Sequence, residues 1–169
     1  MRVKDISEPE VLEDDIKELL IKTDDEFYPP LSERKDTKQS NFETESKKTV
    51  NQYLNNLLEQ NVIACFRNDK MIGILSFTDS TPDTLDTNEA IYLSTIVISP
   101  KFRRMGASKF LMGELKHIAR RTNRDIYSRT WSTNTASQSM FESEDFDMLK
   151  RIDNDRDKGV DSMYYYWEV

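Results

Sequence analysis

The sequence Ile98-Ser-Pro-Lys-Phe-Arg-Arg-Met-Gly-Ala-Ser-Lys109 joins a predicted strand to a predicted helix. A β-branched, apolar run over residues 90–98 leads into it, and apolar side chains recur at helical spacing over residues 108–121. A chain that turns from a strand into a helix presents several unpaired main-chain N–H groups at one point, where the helix dipole favours negative charge. This segment therefore predicts a site for a phosphate group.

Small and basic residues in this segment fit the same interpretation. Gly106 allows the main chain to approach an anion closely, and its neighbours Ala107 and Ser108 are small. Local positive charge comes from Arg103, Arg104 and Lys109, although the whole chain carries a net charge of -7. The alternative is an ordinary helix N-terminus capped by serine, with its arginines on the surface.

Hydrophobic periodicity predicts the remaining elements. Further helices are expected over residues 11–22, 47–60 and 134–144, and strands over residues 62–66, 71–77, 90–98, 126–131, 146–152 and 162–169. The polar segment 23–46 contains Tyr28-Pro-Pro30 and predicts a long loop. Runs of strands mixed with helices indicate an α+β sheet.

Composition excludes several classes of protein. With 169 residues, of which 37% are hydrophobic, the chain suits a single domain over residues 1–169 and is too short for two full ones. The excess of 31 acidic over 24 basic residues argues against binding of nucleic acid or an anionic membrane, which needs a positive surface. No apolar run approaches the roughly 20 residues of a membrane helix, and we expect a cytoplasmic protein.

The chain has one cysteine, Cys65, and one histidine, His117, so it cannot assemble a Cys/His zinc site, and we expect no metal. Cys65 lies in the apolar run 62–66, which favours a buried strand residue over a reactive thiol. We assign no role to His117.

Three motifs together resemble those of the GNAT superfamily, the acyl-CoA-dependent N-acyltransferases. Arg103-x-x-Gly106-x-Ser108 resembles the pyrophosphate loop of the family, in which the last position is glycine or alanine. Asn134, which opens a predicted helix leading to Phe146, is similar to the second motif, and Gly73 lies in what resembles the third strand. The resemblance runs from about Val62 to the C-terminus. It implies a mixed, mostly antiparallel sheet of six to seven strands, splayed at the fourth and fifth strands and flanked by about four helices.

The resemblance also implies acetyl-CoA as cosubstrate. The pantetheine arm is expected on the main chain of the fourth strand, and the pyrophosphate on residues 104–109. Asn134 would lie near the pantetheine arm, although asparagine is equally common as a plain helix N-cap. The implied cofactor-binding residues are Ile96, Val97, Ile98, Arg103, Arg104, Met105, Gly106, Ala107, Ser108, Lys109, Asn134 and Phe141.

Besides Ser108, three positions depart from the family pattern. Phe141 stands where the family often has a tyrosine that protonates the departing thiolate, and Asp145 replaces the glycine of a Gly-Phe pair. Arg129 stands where some members carry a glutamate base. A proton acceptor for the amine is therefore sought elsewhere. The candidates are Glu89, Tyr92 acting through water, and the loop carboxylates Asp24, Asp25 and Glu26. For each of the acidic residues, the alternative is a solvated surface charge.

Two functions of different classes follow from the resemblance. The first is an N-acetyltransferase that transfers the acetyl group of acetyl-CoA to a primary amine by direct attack in a ternary complex. The second is a GNAT-fold module that binds acyl-CoA with little or no turnover, as a sensor or interaction protein. The acceptor would be the amine of a small molecule, a peptide or a protein, and the negative net charge favours a cationic one. A homodimer is compatible with the sequence, which does not decide the oligomeric state.

Overall fold

The computed structural model describes residues 1–34, 50–79 and 90–169. The strands are β1 (Arg2–Ile6), β2 (Asn61–Arg67), β3 (Lys70–Thr78), β4 (Ile91–Ile98), β5 (Ile126–Trp131), β6 (Asp147–Asp157) and β7 (Val160–Trp167). The α-helices are α1 (Glu13–Thr23), α2 (Val50–Leu58), α3 (Ala107–Thr122) and α4 (Thr135–Ser143). The predicted α+β class is confirmed.

The strands form one seven-stranded sheet in the order β1-β2-β3-β4-β5-β7-β6. Antiparallel ladders join β1 to β2, β2 to β3, β5 to β7 and β6 to β7. β4 and β5 are parallel, and their ladder has three pairs at the start of both strands, from Ile91↔Ile126 to Leu93↔Ser128. The predicted mixed, mostly antiparallel sheet is therefore confirmed.

The chain divides into two compact units that interleave along the sequence. Unit 1 comprises Met1–Phe77 and Ser94–Glu114, and unit 2 comprises Thr78–Leu93 and Leu115–Val169. The expectation of a single domain over residues 1–169 stays a prediction.

Unit 1 has an aliphatic core between its helices and its strands. The α1 and α2 helices each bury one apolar face, as their periodicity predicts. The core residues are Ile16, Leu19, Leu20, Leu31, Tyr53, Leu54, Leu57, Val62, Ala64, Met71, Ile74 and Val97. The Tyr53 hydroxyl lies 2.7 Å from Thr95 Oγ1, so this buried phenol has a hydrogen-bond partner.

The first part of the predicted long loop is ordered by its own side chains. The two carboxylate oxygens of Asp24 accept hydrogen bonds from the main-chain N–H and the hydroxyl of Ser32, each at 2.7 Å. Arg34 is 4% exposed, and its Nε donates to the carbonyl of Pro29 at 2.9 Å. This part of the loop contains two short 3₁₀ turns, Asp24–Glu26 and Leu31–Glu33. The rest of the predicted loop lies outside the described residues.

In unit 2, α4 and the end of α3 contact β7, where Phe141 stacks on Tyr165 and Lys116 lies over Trp167. Lys116 on α3 is 7% exposed; its ammonium forms an ion pair with Glu144 at 3.2 Å and lies 5.4 Å from the ring centroid of Trp167. This arrangement satisfies a buried cation with a carboxylate and an aromatic face.

Two sequence predictions about strands are wrong. The predicted strands end at residue 152 and begin again at residue 162, but β6 continues to Asp157 and β7 begins at Val160. Strand β1 was not predicted, because Arg2–Ile6 is a short, mostly polar segment with a largely exposed pattern. Both strands lie at edges of the sheet, where solvent-facing charge is tolerated on both faces.

Candidate functional site

In unit 1, β4 leads into α3 through what we call the β4–α3 junction, residues 99–109. A 3₁₀ turn, Pro100–Phe102, follows the strand, and α3 begins at Ala107. Arg104 and Gly106 have left-handed φ angles of 59° and 83°. A Cβ on Gly106 would meet no atom of the described residues within 4 Å, so the backbone conformation rather than lack of space requires glycine here.

The main-chain N–H groups of residues 104–109, the second half of this junction, point to no acceptor within the described part of the chain. The first helical hydrogen bond of α3 runs from Phe110 N to Gly106 O at 3.1 Å. Between Arg104 and Lys109, no N–H group donates a hydrogen bond to a described residue. Unpaired N–H groups at the start of a 16-residue helix suit an anion, so the residues present fit a phosphate group.

Three of the four basic side chains of the junction, Arg103, Arg104 and Lys109, differ in their surroundings. Arg103 Nε donates to the carbonyl of Ile98 at 3.2 Å, and its guanidinium forms an ion pair with Glu26. Arg103 therefore links the junction to the end of β4 and to the 3₁₀ turn Asp24–Glu26. The carboxylate of Glu26 already compensates its charge. Arg104 and Lys109 are exposed, and neither forms an ion pair with a carboxylate of the described residues.

The end of β4 lies close to β3. A Cβ on Gly73 would be 2.5 Å from Ile98 Cδ1 and 2.9 Å from Val97 O, so glycine allows the two strands to approach. The N–H of Ser99 donates to the carbonyl of Ile72 at 2.9 Å, which fixes the point where β4 ends. Val97 is buried, whereas Ile96 and Ile98 are half-buried. The pantetheine contacts expected of these three residues stay a prediction.

In unit 2, Asn134 is the N-cap of α4. Its Oδ1 accepts from Ser137 N at 3.1 Å, and its Nδ2 donates to Thr130 Oγ1 at 3.0 Å and Ser137 Oγ at 2.8 Å. The capping interpretation of Asn134 is confirmed. A contact with the cosubstrate stays a prediction.

Phe141, also in unit 2, is part of an aromatic cluster. It is 2% exposed, stacks on Tyr165 with ring centroids 4.7 Å apart, and lies 5.3 Å from the ring centroid of Phe146. Asp145 adopts φ 58° just after α4, where the family pattern has glycine. The N–H groups of Phe146 and Asp145 donate to the carbonyls of Phe141 and Glu142, at 3.0 and 3.3 Å, which completes a Schellman cap.

The catalytic candidates differ in how far the structure describes them. Glu89 lies outside the described residues. Tyr92, on the unit 2 part of β4, is 1% exposed and pairs with Tyr127 across the parallel ladder. Arg129, which stands in the expected base position, donates from Nη1 to the Tyr164 hydroxyl at 3.1 Å. The catalytic role of Tyr92 stays a prediction.

Among the loop carboxylates, Asp24 and Glu26 have partners in unit 1. Asp24 accepts two hydrogen bonds from Ser32, and Glu26 is paired with Arg103. Both carboxylates therefore have structural partners, and the role of proton acceptor predicted for them stays a prediction.

The single cysteine and single histidine behave as their sequence context indicates. Cys65 is fully buried in β2, so the interpretation as a buried strand residue is confirmed, and burial raises the pKa of its thiol. His117 is exposed on α3. In the described ranges, with gaps at 35–49 and 80–89, no cluster of His, Cys, Asp and Glu side chains could hold a metal ion.

Sequence reasoning missed one residue at the junction, Arg67. Its Nη1 lies 3.2 Å from the Sδ of Met105, between Arg104 and Gly106. The sequence separation of 38 residues hides this contact, because only the β2–β3 hairpin brings Arg67 to the junction.

Comparison with known proteins identifies the class. The model of the acetyltransferase (GNAT) family matches residues 20–146, so the chain belongs to that family, whose members use acetyl-CoA as cosubstrate and act on amine acceptors. The predicted resemblance is thereby confirmed. A search of curated proteins gave no match.

Solved structures share the fold at low sequence identity. A ribosomal-protein-alanine N-acetyltransferase from Brucella melitensis is 18% identical, with a TM-score of 0.68 and 100% coverage of both chains. The aminoglycoside 6'-N-acetyltransferase from Enterococcus faecium is 12% identical, with a TM-score of 0.70 over 99% of this chain and 96% of that one. A putative streptothricin acetyltransferase from Bacillus anthracis, in complex with acetyl coenzyme A, is 19% identical, with a TM-score of 0.60 over 68% and 67% of the two chains.

None of the helices in the described part of the chain is long and apolar enough to cross a membrane.

Proposed function

We propose that this protein is an N-acetyltransferase that transfers the acetyl group of acetyl-CoA to a primary amine by direct attack in a ternary complex. The observation that carries the proposal is the β4–α3 junction in unit 1. Its unbonded N–H groups, the left-handed Gly106 and the exposed Arg104 and Lys109 suit the phosphates of the cosubstrate. Membership in the acetyltransferase family supports the same reaction class.

The reaction depends less on an acid that protonates the thiolate than on a base that accepts the amine proton. Acetyl-CoA supplies an acetyl thioester when bound, and the reaction forms a C–N bond and breaks a C–S bond. A thiol has a pKa near ~8.5, so a thiolate leaves without much help, and Phe141 in the acid position is tolerable. An amine with a pKa near ~10.4 costs about 4.6 kcal/mol to deprotonate at pH 7. The proposed acceptor of that proton is Glu89, or Tyr92 acting through water. Positioning of the amine and the thioester next to each other supplies much of the rate acceleration.

Calorimetric titration of acetyl-CoA tests the site. We expect Gly106→Glu to abolish binding, because a carboxylate would occupy the place of the phosphate. The matched control is Gly113→Glu, which adds the same charge to α3 at an exposed position where a Cβ meets no described atom. Thermal melts of both variants establish that they fold. Wild-type affinity in a folded Gly106→Glu variant would place the site elsewhere.

The second candidate function is a module that binds acyl-CoA without efficient turnover. It is favoured by Phe141, which is buried against Tyr165 and Phe146 and cannot donate a proton. A thiol-release assay separates the two functions. Its panel of amines comprises polyamines, aminoglycosides, lysine and peptide N-termini. Acetyl-CoA affinity with CoA release on none of these amines would favour the binding module.

A further inference from the structure

We infer that Arg67 is a phosphate ligand of the bound cosubstrate, additional to the residues of the β4–α3 junction. The inference rests on the proposed function, since it requires acetyl-CoA at this junction. It concerns unit 1 alone, because Arg67 and the junction both belong to it.

The β2–β3 hairpin holds Arg67 in place. Arg67 is the last residue of β2 and pairs with Lys70, the first residue of β3. The two residues between them, Asn68 and Asp69, have left-handed φ angles of 50° and 58°, as the tightest hairpin turns require. A short turn between two paired strands leaves the Arg67 backbone little freedom, so the Cα atom that carries the side chain has a fixed position.

Among the described residues, the Arg67 guanidinium at the junction has no strong partner. Its Nη1 is 3.2 Å from Met105 Sδ, and a thioether sulfur is a weak hydrogen-bond acceptor. Within residues 1–34, 50–79 and 90–169, no carboxylate forms an ion pair with Arg67, and its side chain is exposed. A guanidinium presents several N–H donors in a planar fork that matches phosphate oxygens.

Comparison with the neighbouring arginines favours Arg67 over the arginine of the sequence motif. Arg103 is engaged by Glu26 and by the carbonyl of Ile98. Arg2, on the adjacent strand, is engaged by Asp69 at 2.8 Å. Binding a phosphate through either of these would require breaking an existing ion pair, whereas Arg67 would give up, among the described residues, a contact with sulfur.

The phosphate could be either of two groups of the same chemistry. Acetyl-CoA carries a pyrophosphate and a 3′-phosphate, and a guanidinium recognises both in the same way. The two are separated by titrating each protein with acetyl-CoA and with 3′-dephospho-acetyl-CoA.

The test is calorimetric binding to Arg67→Gln, with Arg2→Gln as the matched control, since both remove one exposed positive charge near the same hairpin. A charge-assisted contact to phosphate predicts that Arg67→Gln binds acetyl-CoA roughly tenfold or more weakly. Arg2→Gln should bind within about twofold of wild type, because its charge is already compensated. Arg67→Lys, which keeps the charge but not the fork, should fall between Arg67→Gln and wild type. Affinity should also depend less on salt in Arg67→Gln than in wild type.

A tenfold deficit that persists with 3′-dephospho-acetyl-CoA supports a contact to the pyrophosphate, and one that disappears supports a contact to the 3′-phosphate. The inference is overturned if folded Arg67→Gln binds acetyl-CoA as tightly as Arg2→Gln while Gly106→Glu does not bind. If wild type itself fails to bind acetyl-CoA, the proposed function fails and this inference falls with it, so the two failures are distinguishable.

Discussion

Asp145 replaces the glycine of the family motif and keeps the backbone conformation of that position. The motif has glycine at this position, and the structure shows why: the residue has φ 58° and closes the Schellman cap of α4. Aspartate adopts this conformation more readily than most residues with a side chain, at a modest cost. The cap hydrogen bonds from Asp145 and Phe146 are therefore kept.

Replacing Asp145 by glycine should stabilise the protein. Relief of the left-handed strain outweighs the larger conformational entropy of glycine in the unfolded chain, so we expect a gain of about 0.5–1 kcal/mol in the free energy of unfolding. Denaturant titration measures it. Asp147→Gly, at an exposed position in β6, is the control and should be destabilising. A loss of stability in Asp145→Gly would mean that the aspartate side chain has a favourable role of its own.

Phe141→Tyr tests whether the missing acid matters. We expect the variant to fold, because the ring keeps its stack on Tyr165, and to transfer acetyl groups up to about 10²-fold faster, since a thiolate needs only modest help from an acid. Initial rates on the best amine and thermal melts measure the two effects. Phe141→Leu, which removes the ring without adding a donor, is the control. A stable Phe141→Tyr variant with unchanged rates would show that the residue does not face the thioester sulfur or that protonation is not limiting.

The helices and most strands could be predicted because their patterns are periodic. The α3 helix and β5 have apolar residues at spacings that few other structures would explain, and β5 begins and ends where expected. The two edge strands gave weaker signals. β1 has five residues, and the end of β6 is rich in charge because it buries little on either face. Local sequence does not encode that kind of strand, whose pairing comes from its neighbour.

Gly73 and Gly113 provide a paired test of the β3–β4 approach. Gly73→Ala places a methyl group 2.9 Å from Val97 O, which cannot move without shifting β4, so we expect a loss of about 1–3 kcal/mol in the free energy of unfolding. Acetyl-CoA affinity should fall as well if β4 carries the pantetheine arm. Gly113→Ala, in open space within α3, should instead stabilise the protein by up to about 1 kcal/mol. Equal stability of the two variants would show that β3 and β4 have room for a side chain at Gly73.

The sequence predicted the main chain of the candidate site, but not which of its basic side chains are available to an anion. The glycine, the strand and the helix follow from the sequence of residues 98–109, since they are local. Which arginine is available to an anion depends on contacts distant in sequence: Glu26 reaches Arg103, and the β2–β3 hairpin brings Arg67 to Met105. A net charge of -7 indicates nothing about this small basic region.

The dependence of activity on pH should combine the chemistry of the amine with the stability of the whole protein. Turnover should rise with pH toward the amine pKa near ~10.4, with no falling limb from a catalytic phenol. Burial raises the pKa of Tyr127, Tyr165 and Tyr166, and nearby carboxylates add to the effect. The unfolded chain then loses these protons near pH ~10 while the folded protein retains them, so stability is lost as pH rises from about 10 through the raised pKa values.

Any falling limb of activity above pH ~10 should therefore coincide with unfolding. Rates and denaturant unfolding measured at the same pH values, from 6 to 11, test this relation. Tyr127→Phe removes one ionisable group but keeps the ring, whose centroid lies 5.1 Å from that of Tyr166. This variant should be more stable than wild type at alkaline pH, and the falling limb of its activity should shift to higher pH. The rising limb should not shift, because the pKa of the amine determines it. A falling limb that appears while the protein is still folded, and that disappears in Tyr92→Phe, would instead identify Tyr92 as an acid in the reaction.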